Sequence, residues 1–139
     1  MIYNYGVLMK IGIFDSGIGG LTVLKEISKR LPSFELLYLG DTARLPYGIK
    51  SKKTVDKYSE NNVRFLKSLG CKIIIVACNT ASSYSTSLLK RKFNLPIFDV
   101  LSAGAQASSK SGAKRIGIIG TSSTIESRTY EKKIRKIDK

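Results

Sequence analysis

Along the chain, short apolar runs alternate with longer stretches in which apolar side chains recur every three or four residues. Residues 10–14, 35–39, 72–77, 97–100 and 115–119 have the length and composition of buried strands. The clearest is 72–77, where Ile73, Ile74, Ile75 and Val76 form an unbroken β-branched run, as a parallel strand covered on both faces should. Between these runs the spacing predicts helices. One covers 20–31, with Leu21, Leu24, Ile27 and Leu31 on one face and Pro32 as its stop. A longer one is capped by Ser51 and runs to Leu69, with Val55, Tyr58, Phe65, Leu66 and Leu69 at helical spacing. Others cover 80–93 and 103–111, and a last helix follows Gly120. The loop at 40–50 is marked by Gly40, Pro46 and Gly48. Strands alternating with helices at this spacing predict an α/β fold, a mainly parallel sheet flanked by helices.

Composition narrows the picture. With 139 residues and 42% hydrophobic content, the chain can build one ordinary core. No apolar run is long enough to span a bilayer. Residues 1–8 lack the basic region and cleavage site of a signal peptide, and Met9 stands directly before the first strand. We therefore expect 1–8 to be an extension, translation to start at Met1 or Met9, and the protein to be cytoplasmic. The net charge of +14 raises nucleic acid as a partner. The basic residues fall in short groups, Lys50, Lys52 and Lys53, then Lys90, Arg91 and Lys92, then Lys132, Lys133, Arg135 and Lys136. That distribution reads as solvated helix faces, so neither nucleic acid nor a membrane is the expected partner. Two cysteines and no histidine argue against a structural metal site. Acid–base chemistry must then use Cys, Asp, Glu, Lys or Tyr.

Open parallel sheets bind ligands beyond the carboxyl ends of their strands. There the successive runs deliver Asp15 and Ser16, then Asp41, then Cys78, Asn79 and Thr80, then Asp99, then Thr121. The glycine turn at 17–20 lacks the remaining features of a dinucleotide or P-loop fingerprint. Its glycines are expected to let the following helix pack close to the sheet, and its amides could hold a carboxylate. Cys78 sits at a strand-to-helix switch, where the helix dipole favours a thiolate; a buried, inert cysteine ending a strand is the competing reading. Asn79 and Thr80 are good N-cap types. Cys71 precedes the same strand and is expected on the far edge. Seven residues at about 3.3 Å each would put it roughly 23 Å from Cys78.

The segments 11–24 (IGIFDSGIGGLTVL), 40–51 (GDTARLPYGIKS), 75–82 (IVACNTAS) and 117–124 (GIIGTSST) together resemble the glutamate racemase family, and the similarity runs from about Met9 to the C-terminus. The resemblance implies a cofactor-independent enzyme that interconverts L- and D-glutamate and supplies D-glutamate for peptidoglycan. It also implies two α/β domains with the site between them. On that pattern residues 9–101 are the first domain, incomplete, and 102–139 the beginning of the second. Carried over position by position, Cys78 is the first catalytic cysteine. Asp15 and Ser16, Tyr47 and Gly48, Asn79 and Thr80, and Thr121 contact substrate. The family's second cysteine lies in a Cys-Thr-His motif that this sequence does not contain. The family also suggests a homodimer.

Racemisation takes a proton from one face of the α-carbon and returns one to the other, so two groups are needed, one starting as base and one as acid. Fixed donors must stabilise the charge that develops; Asn79, Thr80 and Thr121 suit that task. Asp15 could take a proton from the thiol or hold the substrate ammonium. With one thiol at the ligand edge, the 139 residues alone are expected not to turn glutamate over. The runner-up reading is an α/β module that binds a small carboxylate without turnover.

Overall fold

The computed structural model describes residues 9–137; the extension expected at 1–8 lies outside the described residues. Four parallel strands form the sheet: β1 (Lys10–Asp15), β2 (Glu35–Gly40), β3 (Ile73–Val76) and β4 (Ile97–Asp99), in the order β2-β1-β3-β4. β1 is central, with Ile13 opposite both Tyr38 of β2 and Ile75 of β3. Parallel neighbours require crossover connections, and helices supply them: α1 (Leu21–Arg30), α2 (Lys52–Ser68) and α3 (Asn79–Lys92).

Strand alternation sorts the side chains onto two faces. One face carries Phe14, Ile74, Val76 and Ile97 against Val55, Val63 and Leu66 of α2 and Ala81 and Leu89 of α3. Each Val, Leu, Ile or Phe among them, taken fully from water, contributes about 1.5–3 kcal/mol. The other face carries Ile11, Ile13 and Ala77 beneath Val23, Leu24 and Ile27 of α1. α1 itself has no buried residue, and its expected apolar positions Leu21 and Leu31 stand largely in solvent.

Helix α2 begins as its sequence predicts: Ser51 Oγ accepts from the Thr54 N–H at 3.2 Å. Its buried face differs from the expected one. Phe65 and Leu69 are exposed, while Ser59, Asn62 and Val63 are buried. Asn62 takes a core position because its amide serves a buried polar network described below.

Beyond β4 the outcome departs further from expectation. Asp99 caps α4 (Val100–Lys110), accepting from the Ser102 N–H at 2.7 Å, so the helix starts earlier than predicted. Residues 115–119, expected as a fifth strand, form none. A strand needs a ladder partner, and none flanks this stretch among the described residues; Ile119 is 98% exposed. The expected last helix is two, α5 (Ser122–Glu126) and α6 (Thr129–Ile137), broken where Arg128 turns left-handed at φ 50°. Among the described residues no helix is long and apolar enough to cross a membrane.

Candidate active site

Because all four strands run the same way, their carboxyl ends share one edge. At the end of β1, Asp15 Oδ2 accepts from the N–H groups of Gly17 (3.2 Å) and Gly20 (3.1 Å). The carboxylate thereby braces the glycine turn and the start of α1. Gly20 must be glycine: a Cβ there would lie 2.8 Å from Asp15 Cβ and 2.9 Å from Ala77 Cβ. This is the close helix-to-sheet approach that the sequence predicts.

At the end of β3, Cys78 is itself the N-cap of α3, in place of Asn79 or Thr80. Its Sγ accepts from the Ala81 N–H at 3.5 Å, and its thiol donates to Ser16 Oγ at 3.4 Å. The sulfur is thus held between an amide at a helix N-terminus and a hydroxyl from the neighbouring strand end. Anions are favoured at such a terminus. Cys78 is 5% exposed.

The segment after α4 returns to the same place although it forms no strand. Thr80 Oγ1 and Thr121 Oγ1 share a hydrogen bond of 3.1 Å, and Thr121 shares another of 3.0 Å with Thr124. Tyr130 of α6 donates to Asn79 Oδ1 at 2.8 Å. Ser123 donates to the Gly48 carbonyl at 2.7 Å, and a Cβ on Gly48 would sit 2.6 Å from Thr121. Asn79, Thr121, Thr124 and Tyr130 border a cavity of ≈420 Å³ with residues 116–120; Cys78 is not among its walls.

Of the expected substrate contacts, Asp15, Ser16, Gly48, Asn79, Thr80 and Thr121 converge with Cys78 on this edge. The Tyr47 side chain does not. It is 1% exposed and points into the core, where its hydroxyl donates to Asp41 Oδ2 and accepts from Asn62 Nδ2 at 3.1 Å. Burial, reinforced by Asp41, pushes the Tyr47 phenol well above its ordinary range. Arg44 completes the network, donating to Asp41 at 2.9 Å and to Asn62 at 3.1 Å and stacking over the Tyr58 ring. Tyr47 can therefore offer a ligand only its backbone, and its side chain fixes the loop that presents Gly48. Asp41 and Asp99, both delivered to this edge by the sequence, are consumed structurally by Arg44 and Tyr47 and by Ser102. Tyr38, Ser123 and Tyr130 escaped sequence reading. A tyrosine in an otherwise aliphatic strand, LLYLG, was the one available signal.

Cys71 lies at the opposite end of β3. It is 1% exposed, and a Cβ on Gly12 would lie 3.0 Å from its Sγ. Burial pushes this thiol up from its ordinary value. Among the described residues no cluster of three or more His, Cys, Asp or Glu side chains could hold a metal ion.

A family model described as Asp/Glu/hydantoin racemase matches residues 17–138. The chain is 53% identical over 129 residues to a glutamate racemase of Aquifex pyrophilus, which covers 92% of this chain and 51% of that protein. The solved glutamate racemase from Aquifex pyrophilus superposes with a TM-score of 0.89 over 92% of this chain and 51% of that one. A glutamate racemase from Francisella tularensis, solved in complex with D-glutamate, is 39% identical with a TM-score of 0.84, over 92% of this chain and 48% of its own. The chain spans about half the length of the curated relatives it matches.

Proposed function

Since the chain belongs to the Asp/Glu/hydantoin racemase family, we propose that it supplies one proton-transfer face of a cofactor-independent glutamate racemase, with Cys78 as the acid–base group. The observation that carries this reading is the seat of the sulfur, at the N-terminus of α3 with the Ala81 amide and Ser16 hydroxyl upon it.

The Cys78 thiolate takes the α-proton of one glutamate enantiomer and becomes a thiol, and the electron pair stays on the α-carbon beside the carboxylate. A second thiol on the opposite face gives its proton to that carbon and becomes a thiolate. The reverse direction exchanges the roles. Asn79, Thr80 and Thr121, with the backbone at Tyr47 and Gly48, are suited to hold the substrate and its developing charge. Ser16 is suited to contact the substrate beside the sulfur. Asp15 braces the turn that carries Ser16, and its carboxylate is suited either to hold the substrate ammonium or to exchange a proton with the thiol. Cys71 cannot be the second thiol, because it occupies the other end of β3. In this reading residues 9–101 form the first domain and 102–139 begin the second, the active protein is a cytoplasmic enzyme that feeds D-glutamate to peptidoglycan synthesis, and a homodimer is its expected assembly.

The test is a chimera in which residues 9–137 replace the aligned half of the Aquifex pyrophilus racemase. An enzyme-coupled assay should detect D-glutamate formed from L-glutamate by the chimera and none from the 139-residue chain. A folded chimera without racemisation would refute the proposal; racemisation by the pure chain would refute the division of labour between two thiols.

A further inference from the structure

Tyr38 sits on the edge strand β2, with its ring on the sheet face that carries Ile13 and Ala77. A tyrosine so placed has an apolar body and a hydroxyl that needs a partner. That hydroxyl crosses to the glycine turn and donates to the Gly17 carbonyl at 3.0 Å. The same carbonyl lies 2.5 Å from where a Cβ on Gly40 would stand, so only glycine at 40 lets the turn come this close to β2. From the other side, Asp15 Oδ2 takes the amides of Gly17 and Gly20. These restraints meet on the residues flanking Ser16, whose side chain meets the Cys78 thiol. Burial, with the charges of Asp15 and Cys78, pushes the Tyr38 phenol up to about 12. It therefore stays a donor across the range in which thiols titrate.

The geometry points to Tyr38 as a positioning residue of the thiol site: by holding the Gly17 carbonyl, its hydroxyl keeps Ser16 Oγ against Cys78 Sγ. This rests on the reading of Cys78 as the proton-transfer group and adds to it a residue that acts through two others, Gly17 and Ser16. Tyr38 acts on the turn, the turn carries Ser16, and Ser16 meets the thiol.

The experiment is infrared spectroscopy of the S–H stretch in the folded 139-residue chain at mildly acidic pH, where thiols carry their proton. Cys78→Ser identifies the Cys78 band, and the Cys71 band serves as an internal reference. An S–H group that loses its acceptor absorbs at higher frequency. Ser16→Ala is expected to move the Cys78 band upward. Tyr38→Phe, which keeps the ring and loses only the hydroxyl, is expected to move it the same way. The pair together should move it no further than Ser16→Ala alone, because the two changes act through one contact. An unmoved band in Tyr38→Phe or in Ser16→Ala overturns the proposal, as do shifts that add in the pair. Amide exchange supplies a second readout. Gly17 and Gly20 should exchange roughly two- to tenfold faster in Tyr38→Phe, the weight of one hydrogen bond, with the β3 amides unchanged. Acceleration in β3 as well would make Tyr38 a general stabiliser and overturn the assignment. Neither readout depends on turnover, so its outcome is separable from that of the racemase assay.

Discussion

The two ends of β3 each carry a cysteine, and the two could hardly be used more differently. At the amino end Cys71 is wedged by Gly12 and Leu66, with a backbone bond to the Leu66 carbonyl and burial favouring its neutral thiol. At the carboxyl end Cys78 caps α3 and faces Ser16. Residue type and strand are the same, and both side chains are nearly enclosed. The difference is strand polarity. In a parallel sheet the amino edge is closed by incoming helix ends and packing, while the carboxyl edge collects helix N-termini, which offer donors to an anion.

Reactivity should separate the two ends most widely. With iodoacetamide near neutral pH, Cys78 is expected to be alkylated at least about tenfold faster than Cys71, since it lies at a helix N-terminus on the ligand edge, whereas Cys71 requires opening of the core. Mass spectrometry of peptides from the folded chain reads the ratio, and faster labelling of Cys71 would break the comparison.

Stability should rank the ends in the opposite order. Cys71→Ser places a hydroxyl in an apolar corner and is expected to cost about 1–3 kcal/mol. Cys78→Ser places one where the Ala81 amide and Ser16 already offer partners, and serine is a favoured N-cap, so its cost should stay below about 1 kcal/mol. Urea denaturation of both variants checks the ranking. Tyr47→Phe, which strips a donor from buried Asp41, is expected to fall with Cys71→Ser, at about 1–3 kcal/mol.

The smallest effect is one of pH. Burial raises the folded-state value of the Cys71 thiol above its ordinary 9.0. The stability this contributes is fully present below the ordinary value and is lost as pH rises from there through the raised one. Denaturation at pH 8 and at pH 10 should show a decline that Cys71→Ala reduces. An equal decline in the variant would remove Cys71 as its source.

Much of this was legible in the sequence, for reasons that mark where legibility stops. The Ile73–Val76 run, Ser51 before its helix and the glycine turn are local signals, and each formed the expected feature. Cys78, Asn79 and Thr80 could be placed at the ligand edge because strand direction follows from βα alternation alone. The apolar residues 115–119 carry the same local signal as β3, yet a strand is a property of two segments, and this one has no neighbour among the described residues. Tyr47 could not be placed from its motif either. Its partner Asn62 lies fifteen residues away on α2, and only packing shows that the pair closes around Asp41. Tyr38 reads locally as an ordinary strand residue, and its reach to Gly17 depends on the close approach that Gly40 permits.

The claim that the carboxyl edge of β3 carries the chemistry is tested most directly in the chimera with the Aquifex pyrophilus half. Proton NMR in deuterium oxide follows loss of the glutamate α-proton signal. With the enantiomer whose α-proton Cys78 removes, Cys78→Ser is expected to slow exchange by at least about a hundredfold, the usual scale for losing a positioned acid–base group. Cys71→Ser should leave it within about twofold. Undiminished exchange of both enantiomers in Cys78→Ser, or exchange lost in a folded Cys71→Ser, would contradict the account.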